Sequence, residues 1–295
     1  MTYSDPCILG YLLTSYGYGP VMNYLRIMKY PGSKKVLIPD IENYYKKSRK
    51  NLFVDVFGGS GSVSLNIDSR STVYNDLNQD LVNVFLSIQK RPQNVYYLLK
   101  EGVKFRRSYG ADRGQSRSSV DKETEKIIRE QAKERGIPEK DVQSVLLIMK
   151  MSLSFGGMGN TYATRKEKAS MSYISRTLDQ MDEIKEKVKK WKIENMDFRE
   201  LVERYDGNDV FFYFDPPYSG QDWYDINFEM EDFRDLAEIM KEMEGTFLLT
   251  IDPNFSGMEE VFGPPYEIKE YANENGPRDG ILNEPRRRAF YTNIF

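Results

Sequence analysis

The chain has no histidine and a single cysteine, Cys7, among its 295 residues. The first absence removes Ser-His-Asp and Cys-His catalysis together with histidine-ligated zinc. Proton transfer must then fall to carboxylates, lysine, tyrosine or water. Chemistry that needs no strong base is favoured, and no metal site is expected. One cysteine permits no internal disulfide and fits an intracellular, cytoplasmic setting. No apolar run approaches the ~18 residues of a membrane-spanning helix. The apolar stretch Cys7 to Leu13 is short and follows no basic region, so neither a signal peptide nor a membrane partner is expected. Strong net charge is missing too. At -3 the total does not advertise a nucleic-acid binder, so the placement of basic residues matters more than their sum.

What is present is 40% hydrophobic and 29% charged residue content, the composition of a folded globular protein. The length suits either one large domain or a large domain carrying a smaller insert. Residues 1–21, rich in tyrosine and glycine, form an extension without clear period. Leu52 to Phe57 reads as a buried strand, followed by the turn Gly58-Gly59-Ser60-Gly61 and a helix from Ser62 to about Asp68. A second strand spans Ser71 to Asn75, closed by Asp76. The spacing of Leu81, Val84, Phe85 and Ile88 predicts a helix over Leu77 to Lys90. This is the βαβ rhythm of a parallel sheet.

The rhythm breaks between about Tyr97 and Lys185. A polar loop is expected from Arg106 to Ser119, a charged helix from Asp121 to Arg135 and an apolar helix from Val142 to Leu153, then a turn at Phe155 to Gly159. Strands return at Lys190 to Asn195, Val210 to Phe214 and Thr246 to Ile251, the last after a helix from Met230 to Met243. Arg288 to Ile294 resembles an edge strand. The expected division is a catalytic domain of residues 22–96 and 186–295, interrupted by a mostly helical insert of residues 97–185.

Two places carry chemistry. The glycine turn lets backbone approach a ligand closely, beyond the carboxyl ends of the strands where open α/β sheets bind their ligands. It matches neither a dinucleotide fingerprint nor a phosphate-binding loop. Asp76 stands where it can accept hydrogen bonds from ribose hydroxyls, so the turn reads either as a nucleoside-type cofactor site or as a plain glycine-rich turn. The second place is sharper. The aromatic strand Phe211-Phe212-Tyr213-Phe214 runs into Asp215-Pro216-Pro217-Tyr218. Two prolines fix the backbone and remove two amide donors, leaving acceptors beside the Asp215 carboxylate and the flat face of Tyr218. Acceptors next to an aromatic platform suit an amino group on a planar base, poised to attack the methyl group of a sulfonium cofactor. A proline-rich turn after a buried strand is the bland alternative.

These motifs resemble the Dam-like DNA adenine-N6 methyltransferases. Lys29-Tyr30-Pro31-Gly32-Ser33-Lys34 resembles that family's Lys-aromatic-x-Gly-Gly-Lys, and Asp55-Val56-Phe57-Gly58-Gly59-Ser60-Gly61-Ser62-Val63 its acidic-Pro-Phe-x-Gly-x-Gly-Ser-Val. Asn75 to Leu81 is similar to its Asp-x-Asn-x-Asp-Leu segment, Asp197-Phe198 to its acidic-Phe pair, and Tyr291-Thr292-Asn293 to its last strand. The motifs occur in the family's order over roughly Met28 to Phe295. Tyr30 stands where tryptophan is common, Ser33 replaces a glycine, and Asp55-Val56 replaces Glu-Pro.

The resemblance implies a Rossmann-like S-adenosyl-L-methionine-dependent methyltransferase sheet with an inserted, mostly helical target-recognition domain. It implies methylation of adenine N6 in double-stranded DNA after base flipping. Tyr30, Gly32, Lys34, Asp55, Phe57, Gly58, Gly59, Gly61, Asp76, Asp197 and Phe198 would bind the cofactor, and Asp215, Pro216, Pro217 and Tyr218 would hold the target adenine. DNA contact would come from Arg106, Arg107, Arg113 and Arg117 in a basic segment that also reads as a solvated loop, and from Gly157, Asn160, Tyr162 and Arg165. Arg286-Arg287-Arg288 either binds phosphate or flanks the last strand. A restriction endonuclease partner is compatible with the resemblance. Methylation of RNA or another amino group, and a non-catalytic DNA-binding module, remain open alternatives.

Overall fold

The computed structural model describes residues 24–32, 34–109, 117–154, 167–217, 228–271 and 285–294. A 3₁₀ turn, Lys35–Leu37, leads into α1 (Ile38–Ser48), then β1 (Leu52–Asp55), β2 (Ser71–Asn75) and α2 (Gln79–Lys90). The helices α3 (Pro92–Tyr109), α4 (Arg117–Arg135), α5 (Glu139–Leu153), α6 (Glu167–Asp179) and α7 (Met181–Val188) follow. The chain returns to the sheet with β3 (Lys192–Glu194), α8 (Phe198–Tyr205), β4 (Val210–Phe214), α9 (Met230–Glu242) and β5 (Thr246–Ile251). It ends with α10 (Met258–Phe262), β6 (Glu267–Tyr271) and β7 (Arg286–Thr292).

The sheet has seven strands in the order β3-β2-β1-β4-β5-β7-β6. All neighbours from β3 through β5 are parallel, while β7 runs antiparallel to both β5 and β6. The order reverses between β1 and β4, and in an open parallel sheet that switch point is where a ligand crevice opens. The glycine turn follows β1 and Asp215 follows β4, so both lie at that point.

Burial explains the layers. β4 is buried at every position, as expected of a central parallel strand covered on both faces. Phe212 and Phe214 pack with α8 and α9 on one face, while Phe211 and Tyr213 pack with α1 on the other. Burying each such ring contributes roughly 1.5–3 kcal/mol. Beside α1, Tyr74 of β2 joins α2 through α7 in one continuous cluster. Within it, Asp141 is fully buried and takes Arg91 at 2.7 Å, with Asn94 donating at 2.8 Å, so its carboxyl is held below the usual range despite burial.

Four sequence expectations are corrected. Ser62 to Asp68 is a run of turns rather than a helix. Asn66 Nδ2 donates to Ser62 O at 2.8 Å and to Leu25 O at 2.9 Å, diverting a carbonyl that a regular helix would use. The next helix begins at Gln79 rather than Leu77, because Asn78 caps it through a side-chain oxygen 2.9 Å from Asp80 N. The loop expected from Arg106 is helical through Tyr109, and the charged helix already starts at Arg117. The last strand is interior: β7 lies between β5 and β6, and β6, which the sequence reading missed, forms the edge.

Candidate active site

A cavity of about 550 Å³ opens along the carboxyl edge of the sheet. Tyr30, Gly32 and Lys34 from the segment before α1, Asp55 to Ser60 after β1, Asp76 after β2, Asp197 and Phe198 at the start of α8, and Asp215, Pro216 and Pro217 after β4 all line it. Residues spread over nearly two hundred sequence positions are thus gathered by strand order.

The glycine turn is fitted closely to its surroundings. A Cβ on Gly58 would stand 2.2 Å from Cε2 of Tyr74, whose hydroxyl donates to Gly59 O at 2.7 Å. Gly59 has φ 53°, a backbone state that favours glycine, and lies against the Tyr30 ring. Its amide donates to Asp76 Oδ2 at 2.8 Å, while the Asn78 amide donates to Asp76 Oδ1 at 2.8 Å. Burial pushes the Asp76 carboxyl up, and these amides pull it back. Gly61, the remaining glycine of the turn, points inward: a Cβ there would meet the Phe85 ring at 2.5 Å.

Asp55, 1% exposed, is pushed up to about 7, chiefly by burial, with the Asp215 and Asp76 charges adding to the rise. Ser64 Oγ donates to it at 2.6 Å and opposes the shift. Phe57 packs at 5.9 Å against Phe198 and at 5.5 Å against Phe228, forming an apolar wall. Asp197 caps α8 and pairs at 3.1 Å with Arg199, which also holds Asp232 at 2.6 Å.

Asp215 is held differently. Lys34 Nζ lies 2.6 Å from its Oδ2, and the two side chains are only 8% and 16% exposed. The lysine also donates to Gly32 O at 2.9 Å, which fixes its position. Asp215 Oδ1 is buried with no hydrogen-bond partner among the described residues. Desolvation raises the Asp215 carboxyl, with Lys34 and more distantly Arg288 opposing. A buried acceptor left open is costly unless something fills it, so the arrangement suits a ligand that brings a hydrogen-bond donor.

The sequence reading missed part of this wall. Asp252, Asn254, Phe255, Arg286 and Arg288 line the cavity on the β5–β7 side. The signal was available for Asp252: Asp252-Pro253 follows β5 as Asp215-Pro216 follows β4. The run Arg286-Arg287-Arg288 reads in sequence as a phosphate binder or a flank of the last strand, but its place at the cavity depends on β7 running antiparallel.

Of the expected DNA contacts, the two with described side chains, Arg106 and Arg107, do not line the cavity. Arg106 is buried in α3 at 7% exposed, and Arg107, beside it, donates from Nη2 to Ser175 Oγ at 2.9 Å. Arg117 starts α4. Arg113, Gly157, Asn160, Tyr162 and Arg165 lie outside the described residues, as does Tyr218. Among the described residues no cluster of three or more acidic or cysteine side chains forms a metal site, and no helix is long and apolar enough to cross a membrane.

Two DNA adenine methylases from Vibrio cholerae serotype O1, of the classical Ogawa and El Tor Inaba strains, are each 35% identical to the chain over 66 residues. The match covers 22% of this chain and 23% of each relative, under a quarter of their length. The family model of D12 class N6 adenine-specific DNA methyltransferases matches residues 30–252. That span takes in the Tyr30 segment, the glycine turn, Asp76, Asp197 and Asp215, together with every strand from β1 to β5. Most of the cavity lining is therefore matched, with Asn254, Phe255, Arg286 and Arg288 beyond the matched span, and the chain belongs to the D12 class N6 adenine-specific DNA methyltransferase family.

Proposed function

We propose that this chain transfers a methyl group from S-adenosyl-L-methionine to N6 of an adenine flipped out of duplex DNA. The observation that carries the reading is the Asp215 carboxylate, with one oxygen paired to Lys34 and the other buried and unpartnered, in the same cavity as the glycine turn.

The residues fit the cofactor. Gly58 and Gly59 line the cavity with backbone, Asp76 offers a half-buried carboxylate for ribose hydroxyls, and Tyr30, Phe57 and Phe198 supply apolar walls. Asp197 is the acceptor for the cofactor's adenine amine. When bound, S-adenosyl-L-methionine supplies a methyl group on a sulfonium centre.

The target amine is managed by the chain itself. Asp215 Oδ1 and the Pro216 carbonyl accept the N6 hydrogens, which directs the nitrogen lone pair towards the cofactor half of the cavity. Tyr218 stacks on the base and offsets part of the few kcal/mol that flipping costs. Once methylated, the nitrogen carries a surplus proton. Asp215 accepts it, and its burial-raised pKa helps to hold it before release to water. No histidine is needed. Residues 97–185 form the target-recognition unit in this reading, and DNA is its partner, through Arg107, Arg113, Arg117 and the segment around Gly157, Asn160, Tyr162 and Arg165.

The test is incubation with S-adenosyl-L-methionine and unmethylated DNA, followed by nucleoside mass spectrometry and methylation-sensitive sequencing. N6-methyladenine in a fixed sequence context is expected. A blank result on DNA with cofactor binding intact would overturn the reading, and methylation of an RNA control instead would redirect it.

A further inference from the structure

The carboxyl edge of the sheet is not uniform in charge. The cavity is lined by six aspartates and by three cations, Lys34, Arg286 and Arg288. A polyanion approaching such a wall is repelled unless cations stand where its phosphates pass. Lys34 is committed to Asp215 at 2.6 Å. Arg288 donates to Arg287 O at 2.7 Å and lies 3.4 Å from Asp252. Arg286 is exposed and lines the same cavity, and its side chain makes no hydrogen bond or ion pair among the described residues.

Its position follows from strand direction. The parallel strands present their last residues at this edge, whereas antiparallel β7 presents its first. Arg286 and Arg288, two apart, therefore share one face of β7. Arg287 points to the other and pairs with Glu270 at 3.7 Å. Across the edge, the cofactor-side groups after β2 and β1 come first, then Asp215 after β4, Asp252 after β5, and finally the arginines of β7. The cations thus lie beyond Asp215, on the side away from the glycine turn.

We infer that Arg286, braced by the neighbouring Arg288–Asp252 pair, binds a backbone phosphate next to the flipped target nucleotide. The inference deepens the proposed DNA methylation and rests on it. It makes Arg286 a DNA-positioning residue supplied by the sheet itself, separate from the helical insert. A guanidinium suits this task because its fork of donors matches phosphate oxygens.

The experiment uses the full chain with Arg286→Ala and Arg286→Lys. The probe is a fluorescein-labelled, unmethylated duplex carrying the methylated context, read by anisotropy across a range of salt concentrations. Loss of one phosphate contact predicts roughly tenfold weaker duplex binding for R286A and a salt-dependence slope smaller by about 1. R286K should recover much of both, and cofactor affinity by calorimetry should be unchanged. A slope and duplex affinity equal to wild type would overturn the inference. So would a loss of cofactor affinity with duplex binding intact, which would assign Arg286 to an anionic group of the cofactor. Wild-type chain that transfers no methyl group to DNA would instead overturn the reading beneath it, whatever the variants do.

Discussion

The two ends of the cavity hold buried carboxylates in opposite ways. At the β1–β2 end, both Asp76 oxygens accept backbone amides, from Gly59 and Asn78. That carboxylate is a structural brace as much as a ligand, since it ties the glycine turn to the start of α2. At the β4–β5 end, among the described residues, Asp215 leans on a single side chain, Lys34, and keeps one oxygen open. Backbone amides cannot move without refolding the turn, whereas a lysine head can shift by rotating its stem. In the proposed reaction this is a division of labour: fixed backbone amides preorganise one end to receive the cofactor, which is spent and replaced in every turnover, while the other end keeps an acceptor ready for the target amine.

The comparison breaks most directly at Asp215. Asp215→Ala should lower single-turnover methyl transfer by roughly 10²–10³-fold, the usual loss when one preorganised polar contact to a reacting group is removed. Cofactor affinity, measured by calorimetry, should stay near wild type. Equal losses in both would mean that the two ends are one unit. Asp76→Asn should do the reverse. Its amide group cannot accept both backbone N–H bonds, so cofactor affinity should fall by about tenfold or more, while the rate at saturating cofactor changes little.

Lys34 sharpens the contrast through pH. In the proposed mechanism Asp215 must be ionised to accept the amine hydrogen, and Lys34 lowers a pKa that burial has raised. Lys34→Met should therefore move the acid limb of the rate–pH profile to higher pH, and Lys34→Arg should keep it near wild type. A limb unmoved in Lys34→Met would separate the ion pair from catalysis. The smallest effect concerns stability at Asp55. Its pKa rises from the model-peptide value of 3.8 to about 7 on folding, so the folded state binds its proton more tightly than the unfolded state. That contribution is fully present below 3.8 and is lost as pH rises through about 7. Asp55→Asn should flatten the fall in Tm across that window, as read by thermal unfolding at several pH values.

Much of the cavity was legible from sequence, because its signals are local. A strand followed by glycines, a second strand ending near Asp76, and Asp-Pro-Pro after an aromatic strand are each contained within a few residues. β4 and β5 occur with the expected ends. The pairing of Lys34 with Asp215 was not legible, since 181 positions separate them and nothing in either segment names the other. The burial of Arg106 was hidden for a related reason: a basic residue beside serines and glycines reads as surface until α3 is seen packing into the helical layer. β6 was missed because Glu267, Lys269 and Glu270 dominate its composition, and its pairing depends on a partner later in the chain. The helix expected after the glycine turn failed on a single side chain, Asn66, which competes for backbone groups.

The position of β7 between β5 and β6 also has a consequence for assembly. During synthesis β6 emerges before β7, its one sheet neighbour among the described residues, and so finds no strand to pair with. The sheet can then close from β3 to β5 while β6 waits, and a pairing delayed in this way adds to the entropy of loop closure that slows folding. Truncation before Arg286 would release β6 along with β7 and uncover the side of β5. A nascent or clipped chain of that kind would carry a sticky sheet edge, a target for quality-control proteases.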